Sequence, residues 1–230
     1  MPAYRSDAET QIRTAVVEEL RRVMPCARII HEVNAFSFGN RIDVLAVATD
    51  RIVAVEIKSE RDKLDRLERQ IEAMRGIAHV TIAALHQRFL RRSHLDGLTA
   101  PDEARGALVW VYPRATRHGH PEVGQRWLMP GQWGGAATHR DMRLRDGSKA
   151  VTMLWRDELI SICRRAGIER VSALRMDELA DLIRWRLTGA EITRAVCREL
   201  RQRRCAEADP PIFDDCGAEP PRDPFEGLLG

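Results

Sequence analysis

Three β-branched runs stand close together early in the chain, and they restrict its fold more than any other feature. Arg28 to Asn34 carries Ile29 and Ile30, Arg41 to Ala48 carries Ile42, Val44, Leu45 and Val47, and Ile52 to Lys58 reads IVAVEIK. Gly39-Asn40 and Asp50-Arg51 are the turn residues between them. Short β-branched runs parted by such turns read as a meander of hairpins. Helical periods flank the meander. Upstream, Ile12, Ala15, Val16, Leu20 and Val23 share one face of a helix over about Asp7 to Val23. Ser6-x-x-Glu9 reads as its capping box, and Pro25 follows its end. Downstream, Leu64, Leu67, Ile71 and Met74 predict a helix over Asp62 to Arg75, stopped by Gly76. His79 to Leu85 reads as a fourth strand and Ala107 to Tyr112 as a fifth. The expected order is α-β-β-β-α-β with one further strand, an α/β fold.

Two of these strands carry carboxylates where apolar residues belong. Asp43 stands among Ile42, Val44 and Leu45, and Glu56 between Val55 and Ile57. An unpaired carboxylate in such a setting is costly. Lys58 follows Glu56 by two residues, so both point to one face of the strand. A hairpin about Asp50-Arg51 brings Asp43 across from Glu56. Two carboxylates and an ammonium then converge at one end of a sheet. Mg²⁺ suits such a set, because it binds through a few carboxylates, waters and substrate phosphate oxygens. Asp43 and Glu56 are the expected metal ligands, with the backbone carbonyl of Ile57 assisting. Such an ion polarises a phosphodiester and lowers the pKa of a bound water. Lys58 is the expected group for positioning that water and neutralising charge on the phosphorane. Lysine is scarce here: Lys58, Lys63 and Lys149 are the only three, every other base being arginine. A compact ammonium and a planar guanidinium do different chemistry. The competing reading is an ion-pair network at a sheet edge with no catalytic role.

The motif R-I-D43-V-L-A-V…V-A-V-E56-I-K58-S resembles that of the PD-(D/E)XK nuclease superfamily. Its shared core is αβββαβ with a mixed sheet, the restriction-endonuclease-like fold. Similarity goes furthest towards small bacterial and phage proteins of this type. They have a Glu on the first strand, a Gly-x-Arg-x-Asp turn and strand, an E-x-K-S strand, and a helix with Arg-Leu and Gln. This chain has Glu32, Gly39-Asn40-Arg41-Ile42-Asp43, Glu56-Ile57-Lys58-Ser59, Arg66-Leu67 and Gln70. Leu154 to Leu159 is similar too, and the firm resemblance covers about residues 7 to 86. It implies a Mg²⁺-dependent phosphodiesterase, with Mn²⁺ able to substitute, acting on nucleic acid and most naturally DNA, in defence, mobile-element or repair biology. It also implies that Glu32 is a first acidic position, for a second metal or the water near it, and that Gln70 is catalytic. Exonuclease-type relatives place a Tyr four residues after that Gln; Met74 stands there instead. Some members draw an acid from the first helix, where Glu9, Glu18 and Glu19 are rivals to Glu32.

Past the core the sequence reads less sharply. The expected organisation is a nuclease-like core over 1–115, a Gly-, Arg- and Trp-rich loop over 116–148, a helical accessory region over 149–205 and a disordered acidic tail over 206–230. The loop holds His118, His120, Trp127 and Trp133 with Arg117, Arg126, Arg140, Arg143 and Arg145. Aromatics and arginines of this kind stack on bases and grip phosphates, or simply line a surface loop. Three helices are expected after it. Val151 to Cys163 lines the first, Leu179 to Leu187 the second, and Thr188-x-x-Glu191 caps the third. The last two read as an αα-hairpin ahead of a helix-turn-helix, and Arg201, Arg203 and Arg204 as a solvated helix end. Seven acids against one base make Glu207 to Gly230 −6, which leaves +9 on the rest of a chain of net +3. A basic body is compatible with a phosphate-bearing partner. The five cysteines are scattered with no C-x-x-C pair, so a disulfide framework or zinc site is not expected. No apolar run approaches the ~20 residues that span a bilayer. The opening residues have no apolar leader, so a cytoplasmic protein is expected, as a homodimer or with a partner protein. A nucleic-acid-binding module that keeps the fold without cutting is the alternative.

Overall fold

The structure, a computed structural model, describes residues 6–35, 40–92, 98–112 and 147–213. Helix α1 (Asp7–Val23) has the bounds that its apolar stripe predicts. Ile12, Val16 and Leu20 are buried along it, each worth about 1.5–3 kcal/mol. The Ser6 hydroxyl accepts from the N–H of Glu9 at 3.3 Å. Glu9 does not complete the expected box, because its carboxylate turns to Arg13 at 2.7 Å.

Strands β1 (Arg28–Ala35), β2 (Asn40–Val47) and β3 (Ile52–Lys58) form the antiparallel meander. Asn40 begins β2 instead of standing in a turn. Helix α2 (Leu67–Arg75) leads to β4 (Val80–His86), which is parallel to β3. A small hairpin, β5 (Arg91–Arg92) and β6 (Leu98–Thr99), precedes β7 (Leu108–Tyr112), which is parallel to β4. The result is one mixed five-stranded sheet in the order β1-β2-β3-β4-β7. Helix α2 starts five residues later than its apolar spacing suggests. Asp62 holds the preceding turn instead, its carboxylate accepting from the N–H and hydroxyl of Ser59 at 2.7 and 2.6 Å.

Each face of the sheet has its own core. On one, α1 packs Ile12, Val16 and Leu20 over Val44, Val53, Val55, Ile82 and Trp110. On the other, Leu67, Ile71 and Met74 of α2 join Leu45, Ala54, Ala83 and Val109 and the C-terminal helices. The alternation of strand residues feeds the two cores by turns.

The C-terminal region begins with a 3-10 turn, Gly147–Met153, so Val151 precedes the first helix and is not part of it. Helices α3 (Arg156–Arg165), α4 (Met176–Arg186) and α5 (Gly189–Gln202) follow. The capping box at Thr188 and Glu191 is complete, its two halves at 3.4 and 2.8 Å. Helix α5 buries Ile192, Ala195, Val196, Cys197, Leu200 and Arg201, so it is a core helix. Its other face, with Glu191 and Arg194, is exposed. Arg201 and Arg203 are buried too, contrary to the expected solvated end.

Residues 207–209, expected to belong to a disordered tail, run beside the edge of β1. The carbonyl of Glu207 accepts from His31 and the N–H of Asp209 donates to Ile29, at 2.8 and 2.9 Å. Arg28, 1% exposed, ties this segment to α5 by donating to the carbonyls of Leu200 and Asp209 at 2.7 and 3.0 Å. Gly39, the histidines, tryptophans and arginines singled out between 113 and 146, and the tail beyond 213 lie outside the described residues. No helix among the described residues is long and apolar enough to cross a membrane.

Candidate functional site

The sheet loses its regularity where the carboxylates sit. The β2–β3 ladder runs from Val47 opposite Ile52 to Val44 opposite Val55. One more step would pair Asp43 with Glu56. The strands part there, and Asp43 fills the gap with its side chain, Oδ2 accepting from the N–H of Ile57 at 2.7 Å. On the other side, β1 and β2 pair on either side of Glu32 and Asp43 but not through them. Glu32 has φ +56°, in the left-handed region that a glutamate rarely adopts. The consequence is a phase slip. Ile30 and Val33, three residues apart, face the same core, as do Leu45 and Ile42. Strict alternation would send one of each pair to the opposite face. The residues spared from the apolar pattern are Glu32 and Asp43.

Glu56 and Lys58 share a face of β3, as their spacing requires, and both are buried. Lys58 Nζ donates to Glu56 Oε1 at 2.6 Å. Gln70, half-buried on α2, donates from Nε2 to the same oxygen. Among the described residues no hydrogen bond reaches Glu56 Oε2, and Glu56 is the one acceptor for Lys58 Nζ. Lys58 therefore keeps donors for another oxygen, and Glu56 keeps lone pairs for a cation.

Arg13 enters from α1, 6% exposed. Its Nη2 reaches Glu9 Oε1 at 2.7 Å, Glu32 Oε1 at 3.0 Å and Asp43 Oδ1 at 3.7 Å. Its Nη1 donates to the main-chain carbonyl of Asp43 and stands 3.4 Å from Nδ1 of His31. Arg41 pairs with Glu32 from the outer side. The sequence reading missed Arg13. A signal was present: Arg13 lies beside Ile12, four residues after Glu9 and three before Val16, on the margin of the buried stripe.

Burial pushes the carboxyls of Asp43 and Glu56 well above the usual carboxylate range. For Glu56 the field of Asp43 raises it further, against the pull of Lys58 and Gln70; for Asp43 the Ile57 N–H, Arg13 and Lys58 pull the other way. The two acids thus lie within each other's field and short of positive charge. A divalent cation fits the set by charge and by chemistry. Its donors would be hard oxygens, Glu56 Oε2 and an oxygen of Asp43. In an extended strand the N–H and C=O of one residue point to one edge, so the Ile57 carbonyl shares the gap in which Asp43 takes its N–H. Among the described residues no cluster of three or more acidic, His or Cys side chains gathers as a metal site.

Of the residues that the sequence nominated, Asp43, Glu56, Lys58 and Gln70 are brought together. Glu32 is next to Asp43 but is engaged by two arginines. Glu9 reaches the site through Arg13, whereas Glu19 pairs with Arg22 at 2.5 Å and Glu18 is exposed. Arg41 is an ion-pair partner; Arg66 is exposed, and its carbonyl accepts from Gln70 at 3.0 Å.

Compared with known proteins, residues 3–93 match the family described as bacteriophage P4 protein cII. That stretch holds α1, β1 to β5 and α2, and with them every residue of the site. No curated protein and no solved structure matches the chain.

Proposed function

We propose that this chain is a metal-dependent nuclease of the PD-(D/E)XK type, its α1-β1-β2-β3-α2-β4 unit being the restriction-endonuclease-like core. It hydrolyses phosphodiester bonds of nucleic acid, DNA first. One observation carries the reading: the half-buried Asp43 and the buried Glu56, on neighbouring strands that part beside them, hold carboxyls in each other's field, with the Lys58 ammonium 2.6 Å from Glu56. Mg²⁺, or Mn²⁺ in its place, is the group that this pair suits, and when bound it supplies Lewis acidity and a water of lowered pKa. Asp43 and Glu56 hold it. Lys58 uses its remaining donors to hold a phosphate oxygen and offset charge that builds there. Gln70 fixes the rotamer of Glu56. The N–H of Ile57 fixes Asp43. Arg13 fixes the β2 main chain beneath them. The match to a phage family supports a mobile-element setting.

The alternative is a nucleic-acid-binding module on the same fold that leaves cutting to a partner. Arg13 favours it, since it already lends positive charge to Asp43. Purified protein incubated with supercoiled, linear and single-stranded DNA and Mn²⁺ decides between the two. Cleavage that is lost in Glu56→Ala supports the nuclease; salt-dependent binding with no cleavage on any substrate supports the module.

A further inference from the structure

We infer that the site takes one divalent ion and not two, because the Arg13 guanidinium fills the place of the second cation. This rests on the reading of Asp43 and Glu56 as ligands of the first.

The carboxylates of the site fall into two groups. Glu56 and the open side of Asp43 face Lys58 and Gln70. Glu9, Glu32 and the other side of Asp43 face Arg13, with Nη2 within 3.7 Å of an oxygen from each. The second group is where an additional ion would have to sit. Its acids come from α1, β1 and β2, and Arg13 already joins all three elements. Of these acids Glu32 has the most buried side chain, 12% exposed against 27% for Glu9 and 21% for Asp43, and it pairs with both Arg13 and Arg41.

Arginine is suited to make this substitution permanent. A lysine in such a place can lose its proton and leave room for a metal, whereas a guanidinium keeps its charge. Its fork also matches the geometry, one nitrogen serving carboxylates and the other the Asp43 carbonyl. A cation approaching Glu32 meets a fixed like charge at hydrogen-bond range. The left-handed backbone of Glu32 points the same way. That conformation costs about 1–3 kcal/mol in general and persists only when its surroundings hold it. Here what holds the side chain is the pair of arginines.

The test is a count of bound Mn²⁺ on the full chain, by calorimetric titration and by the loss of the free-ion electron paramagnetic resonance signal. One ion per wild-type chain is expected. Arg13→Gln removes the charge and keeps a hydrogen-bonding side chain, and it should raise the count to two. Arg13→Met also removes the charge and should likewise give two, which preserves the test if the glutamine variant does not fold. Two ions on the wild type overturn the inference, as does a folded Arg13→Gln or Arg13→Met that still binds one. No ion on the wild type at saturating Mn²⁺ overturns the underlying metal reading, and this inference with it.

Discussion

Among the described residues, two arginine–glutamate networks differ in kind. In the C-terminal region, Arg203 meets Glu158 fork to fork, Nε to Oε1 at 2.7 Å and Nη2 to Oε2. Its Nη2 also donates to the Met153 carbonyl at 2.8 Å, and its guanidinium lies 4.4 Å over the Trp155 ring. One cation meets one anion there. At the strand ends, Glu9, Glu32, Asp43 and Glu56 face Arg13, Arg41 and Lys58. Two of these acids, Asp43 and Glu56, lie in each other's field, and Arg41, more than half exposed, adds little to the set. The first network is what a fold needs to pin a helix. The second gathers acids from α1, β1, β2 and β3 where two strands part. A bound cation would favour the ionised form of two carboxyls whose ionisation burial opposes, and that is the physical ground for proposing the second network as a site.

The comparison breaks most visibly in cleavage. Asp43→Asn and Lys58→Ala should each lower cleavage rates by about a hundredfold or more, the scale of removing one transition-state partner, while Arg203→Met should leave the rate per folded molecule unchanged. Plasmid cleavage in Mn²⁺ by all three variants checks this, and unimpaired cutting by either site variant would erase the distinction.

Stability should show the reverse. Arg203→Met strands Glu158 without its partner and should cost about 3–5 kcal/mol, read as a lower urea midpoint. Glu56→Gln replaces a carboxyl whose ionisation burial and Asp43 oppose, and should leave the metal-free protein as stable as wild type or more so.

Acidity sharpens the contrast. Glu56 is pushed up to about 8 from an ordinary 4.5. A folded-state value above the unfolded one gives stability that is full below about 4.5 and lost as pH rises through 8. The urea midpoint of the metal-free protein should therefore fall between pH 5 and 8, and much less in Glu56→Gln. Mg²⁺ should restore more at the upper end, where both carboxyls are ionised. The smallest effect runs the other way, at His79. Its Nδ1 accepts from the N–H of Ile52 at 3.0 Å, and burial lowers its pKa below 6.5. That stability is present above 6.5 and lost as pH falls through the lowered value, a shallow acid-side loss that His79→Asn should flatten.

Much of this was legible in the residues. The apolar stripe of α1 and the β-branched runs set the bounds of the first elements, because each segment must bury one face. Asp43 and Glu56 were visible as charges at positions the pattern reserves for apolar side chains, and Lys58 by sharing a face with Glu56. What local pattern cannot carry is a contact made across the fold. The start of α2 was masked by Asp62 choosing Ser59 over the helix. Residues 207–209 pair with β1 from far along the chain. Arg13 looked like any other arginine on a charged helix, since only the tertiary fold brings Glu32 and Asp43 to it. The phase slip at Glu32 was hidden for the same reason: a left-handed glutamate has no sequence signature of its own.

The central claim is that Asp43 and Glu56 jointly grip a divalent ion. Diffraction from crystals grown in Mn²⁺, recorded at the manganese edge, tests it most directly. One anomalous peak within ligand distance of both carboxylates is expected, with Arg13 still bound to Glu32. Saturating Mn²⁺ with no peak between those two side chains would contradict it.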